Sequence, residues 1–370
     1  MPDDEQLQDL DDFGMPWRRD VDEMGSALTK WATQAHGQPV RVSDVAAPGN
    51  GMSSETVLFT MRVGDGEPDE YAARLAPLPE LYPVFPRYDL ESQARCMQLA
   101  RAHTDIPAPV VRWAEADPRW LGGPFLVMHR IRGDAPSDIP PYVFGGWVAD
   151  ASADERARMQ HSAVGVLARL HTITPATADL SFLDRPELGT SPLDQQLAHE
   201  RSYYEWARHG VSFPVIDRAF AWLDQHRSAE GDAVFNWGDA RIGNMLFRDF
   251  EVVGVLDWEM ATVGPPEVDL GWMIFLHQFF QHIAQRYGLP GMTGFMERDA
   301  VVADYEQLSG RTVRDLEWFE VFAALRFAIV SVRTTTRGIA YGTQEKPPDP
   351  DDYIMFRGLL EQMLDGSYWR

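Results

Sequence analysis

Apolar and polar positions divide the chain into two textures. From Val40 to about Val127 the runs are short and rich in β-branched residues: VRVSDV (40–45), TVLFTMRV (56–63) and YAARL (71–75). The last two flank a Gly-Asp-Gly turn and predict a β-hairpin. Between 90 and 102 the period changes, because Leu90, Ala94, Met97 and Leu99 to Ala100 recur near helical spacing behind a capping Asp89. That helix should end before Ile106-Pro107, and VVRWAE (110–115) and GPFLVMHRI (123–131) read as two more strands.

Beyond Arg132-Gly133 the chain reads as mostly helical. A Pro, Gly and aromatic loop (134–150) precedes Ser152-x-x-Glu155, a capping box, and Met159, Ala163, Val166 and Leu170 then share one helical face. Further helices are expected at 191–208, 214–227, 269–287, 299–308 and 315–335. One β interruption divides them: AVFNWGD (233–239), NMLF (244–247) and VVGVLDW (252–258). Leu270–Gln285 lacks charge but holds two His and three Gln, which is short and polar for a bilayer span. The expected architecture is α+β with two lobes: an acidic N-terminal tail (1–25), a β-rich N-lobe for nucleotide (26–128), a hinge (129–133) and a catalytic, substrate-binding C-lobe (134–370).

Charge narrows the partners. The 33 basic and 56 acidic residues give a formal net charge of −23, a field that repels nucleic acid and anionic membrane surfaces. Cys96 is the single cysteine and MPDDEQLQDLDD has no signal-like character, so a cytoplasmic protein without disulfides is expected, monomeric or homodimeric. Lys30 and Lys346 are the only lysines, so a mechanism needing a lysine has two candidates.

The chemistry concentrates in the β interruption. Trp237-Gly238-Asp239-Ala240-Arg241-Ile242-Gly243-Asn244 sets an Asp and an Asn five apart on a loop, and Leu256-Asp257-Trp258-Glu259 follows at the end of a hairpin. Hard oxygen donors in this number suit Mg2+, which takes one or two carboxylates beside substrate phosphates. Asn244 and Asp257 fit that role, which leaves Asp239 to orient a hydroxyl. No G-x-x-x-x-G-K-[ST] run occurs.

The W-G-D-A-R-I-G-N and L-D-W-E segments resemble the catalytic segment of the aminoglycoside phosphotransferase and choline kinase group, whose fold is protein-kinase-like. The likeness spans roughly residues 40–340 and comes nearest to the acyl-CoA-dehydrogenase-associated branch. It implies transfer of the ATP γ-phosphoryl group, with GTP also compatible, to a small-molecule hydroxyl with Mg2+: Asp239 positions the nucleophile, and Asn244 and Asp257 hold the metal. It also implies a phosphate-covering turn at 48–54 that uses Gly51, Ser53 and Ser54, and a nucleotide-pairing base, Arg74, with Glu91 as its helical partner. Met128 to Arg130 would form the linker that reads adenine through its backbone, and Asp269 would brace the catalytic loop. Two positions depart from the family pattern: Arg74 replaces Lys, and Trp237 stands where His is commoner. Both motivate the rival reading of a non-catalytic pseudokinase or scaffold, with a hydrolase as a third.

Plainer readings accompany these. Gly238-Asp239 alone is a turn signal, and Glu91 could pair with Arg95 at i,i+4. Glu259 is either a carboxylate near the metal or a solvated residue, and His171 and His129 are expected to cap or pack. Trp272, Phe275, Phe279 and Phe280 read as core rather than as a cage for a cation. The loop bearing Tyr142, Phe144 and Trp147 is a candidate substrate lid.

Overall fold

The computed structural model describes residues 19–48 and 53–369. The expected tail boundary at 25 falls inside a helix, α1 (Val21–His36). Asp20 caps it through Oδ1, which accepts from the amides of Asp22 and Glu23, and Gly37 ends it in the left-handed region at φ 65°. Met24, Leu28, Trp31 and Ala32 make it a packed layer on the sheet. A mobile tail or a loosely docked helix is what the acidic composition up to about residue 25 suggests; the helix instead extends to His36 and is firmly packed.

The sheet contains β1 (Val40–Ala46), β2 (Glu55–Val63), β3 (Asp69–Leu75), β4 (Val111–Glu115) and β5 (Phe125–His129), ordered β1-β2-β3-β5-β4 with every pair antiparallel. Tyr71, Ala73 and Leu75 enter the core shared with α1, and strand alternation therefore turns Arg74 to the opposite face. Helix α2 (Leu90–His103) starts at the predicted Asp89 cap, where Oδ1 accepts from Ser92 N at 2.9 Å. It buries Leu90, Gln93, Ala94, Cys96, Met97 and Ala100.

The larger lobe is helical, as its periodicity implies. Helix α3 (Ala153–Leu170) opens with the Ser152–Glu155 capping box, and Met159, Ala163, Val166 and Leu170 are fully buried. Then follow α4 (Pro192–Ala207) and α5 (Pro214–Gln225), the paired strands β6 (Val234–Asn236) and β9 (Thr262–Gly264), and the hairpin β7 (Met245–Arg248) with β8 (Glu251–Val255). Helices α6 (Glu267–Arg286), α7 (Arg298–Ser309), α8 (Leu316–Tyr341) and α9 (Arg357–Asp365) complete it. Helix α8 outruns the expected end at 335 until Gly342 stops it at φ 72°. The β interruption is shorter than its composition suggests, because Gly238 at φ 91° and Asp257 at φ 58° turn the chain out of both strands. Those two turns lie at the chemically marked positions.

The aromatic stripe on α6 is core at Phe275 and Phe279, which pack on Phe327 and Phe356 with ring centroids 4.8–6.3 Å apart. The Tyr142 loop is anchored rather than free: Tyr142 is buried and its hydroxyl lies 2.7 Å from His277 Nδ1, contrary to the mobility a lid at that residue would need. No helix among the described residues is long and apolar enough to cross a membrane.

Candidate active site

The catalytic loop is fastened from below by Asp269, in the first turn of α6. Its Oδ2 accepts from Trp237 N at 2.7 Å and its Oδ1 from Gly238 N at 2.8 Å. His171 Nε2 lies 3.2 Å from the same carboxylate, and His171 Nδ1 meets Tyr305 OH at 2.8 Å, so His171 packs as a structural partner. A Cβ at Gly238 would lie 1.9 Å from the Met260 carbonyl oxygen, so this loop and the segment after β8 touch backbone to backbone. Trp237 adds a second fastening. Its indole N–H donates to the carbonyls of both Leu256 and Asp257 at 2.9 Å, a span across the two chemical segments.

These constraints bring together the three residues singled out in the sequence. Asn244 Nδ2 donates to the backbone carbonyl of Asp239 at 3.2 Å, and Leu256 N donates to the Asn244 carbonyl at 2.9 Å. Asp257 Oδ1 accepts from Arg74 Nη2 at 2.7 Å across the interlobe cleft. Asp239 Oδ1 accepts from Trp272 Nε1 at 2.7 Å and lies 3.3 Å from Arg241 Nε. Arg241 in turn holds Asp138, of the 134–150 loop, through Nη1 at 2.7 and 2.8 Å.

Arg74 is not paired with Glu91. Its Nη2 reaches both Asp257 and Glu259, the latter at 2.9 Å, while Glu91 is exposed on the outer side of the first turn of α2. The residue that α2 turns inward is Gln93, 2% exposed, and both its amide atoms are buried without a hydrogen-bond partner among the described residues. A carboxylate drew the sequence argument, although the helical phase of Leu90, Ala94 and Met97 already pointed to position 93.

Glu259 proves buried rather than solvated, and Ser53 Oγ donates to its carboxylate. Burial and the adjacent Asp257 push its carboxyl up to about 8, against the opposing pull of Arg74 and Ser53. Tyr88 continues the contact: its hydroxyl donates to the Ser53 carbonyl at 3.0 Å. Ser54 is half-buried beside it, whereas Gly51 lies outside the described residues. Met128 is buried on β5, and Arg130 follows with its amide donating to Glu70 O at 3.0 Å.

Sequence reasoning missed Trp272, Arg241 and Asp138 as parts of this site. For Trp272 the signal was present: it lies three residues after Asp269 and therefore faces the same way on α6. Among the described residues no cluster of three or more His, Cys, Asp or Glu suits a metal ion. The available donor set is the mixed one of Asp257, Glu259 and Asn244, hard oxygens that fit partial ligation of Mg2+ beside phosphates. The guanidinium of Arg74 now supplies the cation between the two carboxylates.

Residues 44–311 match the profile of the phosphotransferase enzyme family. The chain belongs to this family. Among curated relatives, acyl-CoA dehydrogenase family member 11 of Rattus norvegicus is 24% identical over 267 residues, which cover 66% of this chain and 32% of that protein. The probable acyl-CoA dehydrogenase IBR3 of Arabidopsis thaliana is 23% identical over 82% of this chain and 37% of its own length. The chain thus spans about a third of the length of these two relatives. Among solved structures, a Ralstonia eutropha protein assigned as an aminoglycoside phosphotransferase superposes with a TM-score of 0.63 at 22% identity, covering 93% of this chain and 98% of that one. A thermostable mutant of aminoglycoside phosphotransferase APH(4)-Ia, in complex with AMP-PNP and hygromycin B, gives 0.55 at 14% identity, covering 92% and 99%. The phosphotransferase fold, kinase-like with two lobes, therefore extends over nearly the whole chain.

Proposed function

We propose that this phosphotransferase moves the γ-phosphoryl group of ATP to a hydroxyl of a small molecule with Mg2+. The observation that carries the reading is convergence: Asp239, Asn244 and Asp257, up to 18 residues apart in sequence, meet on one cleft floor beneath Arg74. In this reading both described contacts of the Asp239 carboxylate fall on Oδ1, which leaves Oδ2 to accept the hydroxyl hydrogen. Trp272 and Arg241 hold the carboxylate in its orientation. Asn244 and Asp257, with Glu259 behind them, would hold the metal, which when bound supplies charge neutralisation at the β- and γ-phosphates.

Nucleotide would lie between the lobes, with Arg74 leaving Asp257 for phosphate oxygens and the 48–54 turn with Gly51, Ser53 and Ser54 above them. The linker from Met128 to Arg130 would read the base through backbone groups, for ATP or GTP alike. The ADP and AMP-PNP complexes of aminoglycoside phosphotransferases support nucleotide as co-substrate. The hinge at 129–133 between the two lobes and a cytoplasmic location belong to the same proposal.

The test is ADP release with Mg2+ across a panel of alcohols, with mass spectrometry of the acceptor. A phosphorylated acceptor is expected. Release without one would indicate a hydrolase, and nucleotide binding without release for every acceptor would favour the pseudokinase reading.

A further inference from the structure

Four arginines are buried among the described residues, and three of them, Arg326, Arg333 and Arg337, lie on one face of α8 at i, i+7 and i+11. Burying a guanidinium is costly unless an anion or a set of acceptors meets it. The stripe begins at the catalytic loop. The Arg326 guanidinium carbon lies 4.6 Å from the Trp272 ring centroid, its Nη2 donates to Gly238 O at 3.4 Å, and Nη1 is buried without a partner among the described residues. Arg333 follows about 10 Å along the helix at 1.5 Å per residue. It donates to the Pro83 carbonyl through Nε at 3.2 Å and Nη2 at 2.8 Å, meets His209 Nε2 at 2.7 Å, and stacks on Trp206 at 4.1 Å. Among the described residues no carboxylate forms an ion pair with it, and Tyr203, Tyr88 and Tyr82 are the ionisable groups that act on it. Those tyrosines connect the stripe to the cleft: Tyr203 OH donates to Val84 O at 2.9 Å, Tyr88 OH donates to Ser53 O at 3.0 Å, and Ser53 Oγ donates to the Glu259 carboxylate.

The acids of the cleft, by contrast, are already engaged by cations: Asp138 by Arg241, Asp257 and Glu259 by Arg74, and Glu200 by Arg326 at 3.5 Å. An ammonium group arriving here would find carboxylates with their charge spoken for, and guanidinium groups buried along α8 behind them. We infer that the acceptor of this phosphotransferase carries an anionic group, a carboxylate or phosphate, which docks on Arg333 while its hydroxyl lies at Asp239. The Pro83 carbonyl now fills the fork of Arg333, and an anion replaces it with stronger, charge-assisted bonds. The inference deepens the proposed function and rests on that reading for the place of the hydroxyl.

Calorimetric titration of the full chain, held with Mg2+ and AMP-PNP, tests it without requiring transfer. Three length-matched series serve as probes: hydroxyalkyl carboxylates and phosphates, the corresponding neutral hydroxy amides, and amino alcohols. Anionic members should bind at least about tenfold more tightly than neutral ones, with amino alcohols weakest. Arg333→Met should erase the preference, and Arg333→Lys should retain part of it, with AMP-PNP affinity unchanged in both. Equal or stronger binding of amides or amino alcohols, equal weakening of all three series by Arg333→Met, or no binding in any series overturns the proposal; the wild-type series decides it alone if the variants do not fold. Preference for anions with no phosphorylated product under ATP would leave this subsite standing and remove phosphotransfer, whereas transfer to amino alcohols alone would do the reverse.

Discussion

At the scale of single residues the site is governed by which atom of each group is already spoken for. Asp239 holds Trp272 and Arg241 on Oδ1, so Asp239→Asn should lower kcat by about 10²- to 10⁴-fold, the range for a lost acid–base group, with nucleotide affinity little changed. Single-turnover kinetics beside a nucleotide titration checks this; an equal loss in both would assign Asp239 to binding. Trp272→Phe keeps the ring and removes one donor. A fall in kcat of about tenfold is expected, equivalent to ~1.4 kcal/mol, with little change in Tm. Gly238→Ala is a different case. Its Cβ would press on the Met260 carbonyl at a left-handed φ, so thermal melting should show at least about 2 kcal/mol of lost stability. A melt matching the wild type would show that the two segments can part at no cost.

Among elements, α6 works at two levels, its first turn and its middle. Asp269 in its first turn braces the catalytic loop, and His277, two turns further on, anchors the 134–150 loop through Tyr142. Burial drives the His277 pKa down to about 3 from the ordinary 6.5. The folded state therefore excludes a proton that the unfolded chain binds between those values. Stability from this residue is complete above pH 6.5 and is lost as pH falls toward 3. His277→Gln should accordingly lose less Tm than the wild type between pH 7.5 and 4.5, and parallel losses would show that another group controls the acid limb. Most elements were legible in the sequence, because the capping box at Ser152, the Asp89 cap and the periodic faces of α2 and α3 are local signals. What escaped was relational. The partners of Arg74 lie more than 180 residues away, so the sequence could supply a strand–helix pair only by resemblance, and at Gln93 the helical phase showed burial but not what the uncharged amide would face. The packing of helix α1 escaped for the same reason: its apolar face acquires meaning only against a sheet.

For the whole molecule, the net charge of −23 is carried mainly outside, while the buried charges include arginines set against the cleft acids. Self-repulsion of the acidic surface should therefore be screened by salt. Raising NaCl from about 10 to 150 mM shortens the Debye length from about 30 to 8 Å and should raise Tm, whereas a falling Tm would mean that exposed ion pairs outweigh the repulsion. The triple fastening of the floor, by Asp269 beneath the catalytic loop, by the Trp237 indole across to Leu256 and Asp257, and by the Gly238–Met260 approach, has an evolutionary consequence. Its members constrain one another so closely that changing one requires changing the rest, while side chains along α8 and the 82–88 segment are not bound by that compact. Descendants of this scaffold can thus diversify in diet by exchanging what lines the walls, inheriting intact the means of gripping a nucleotide.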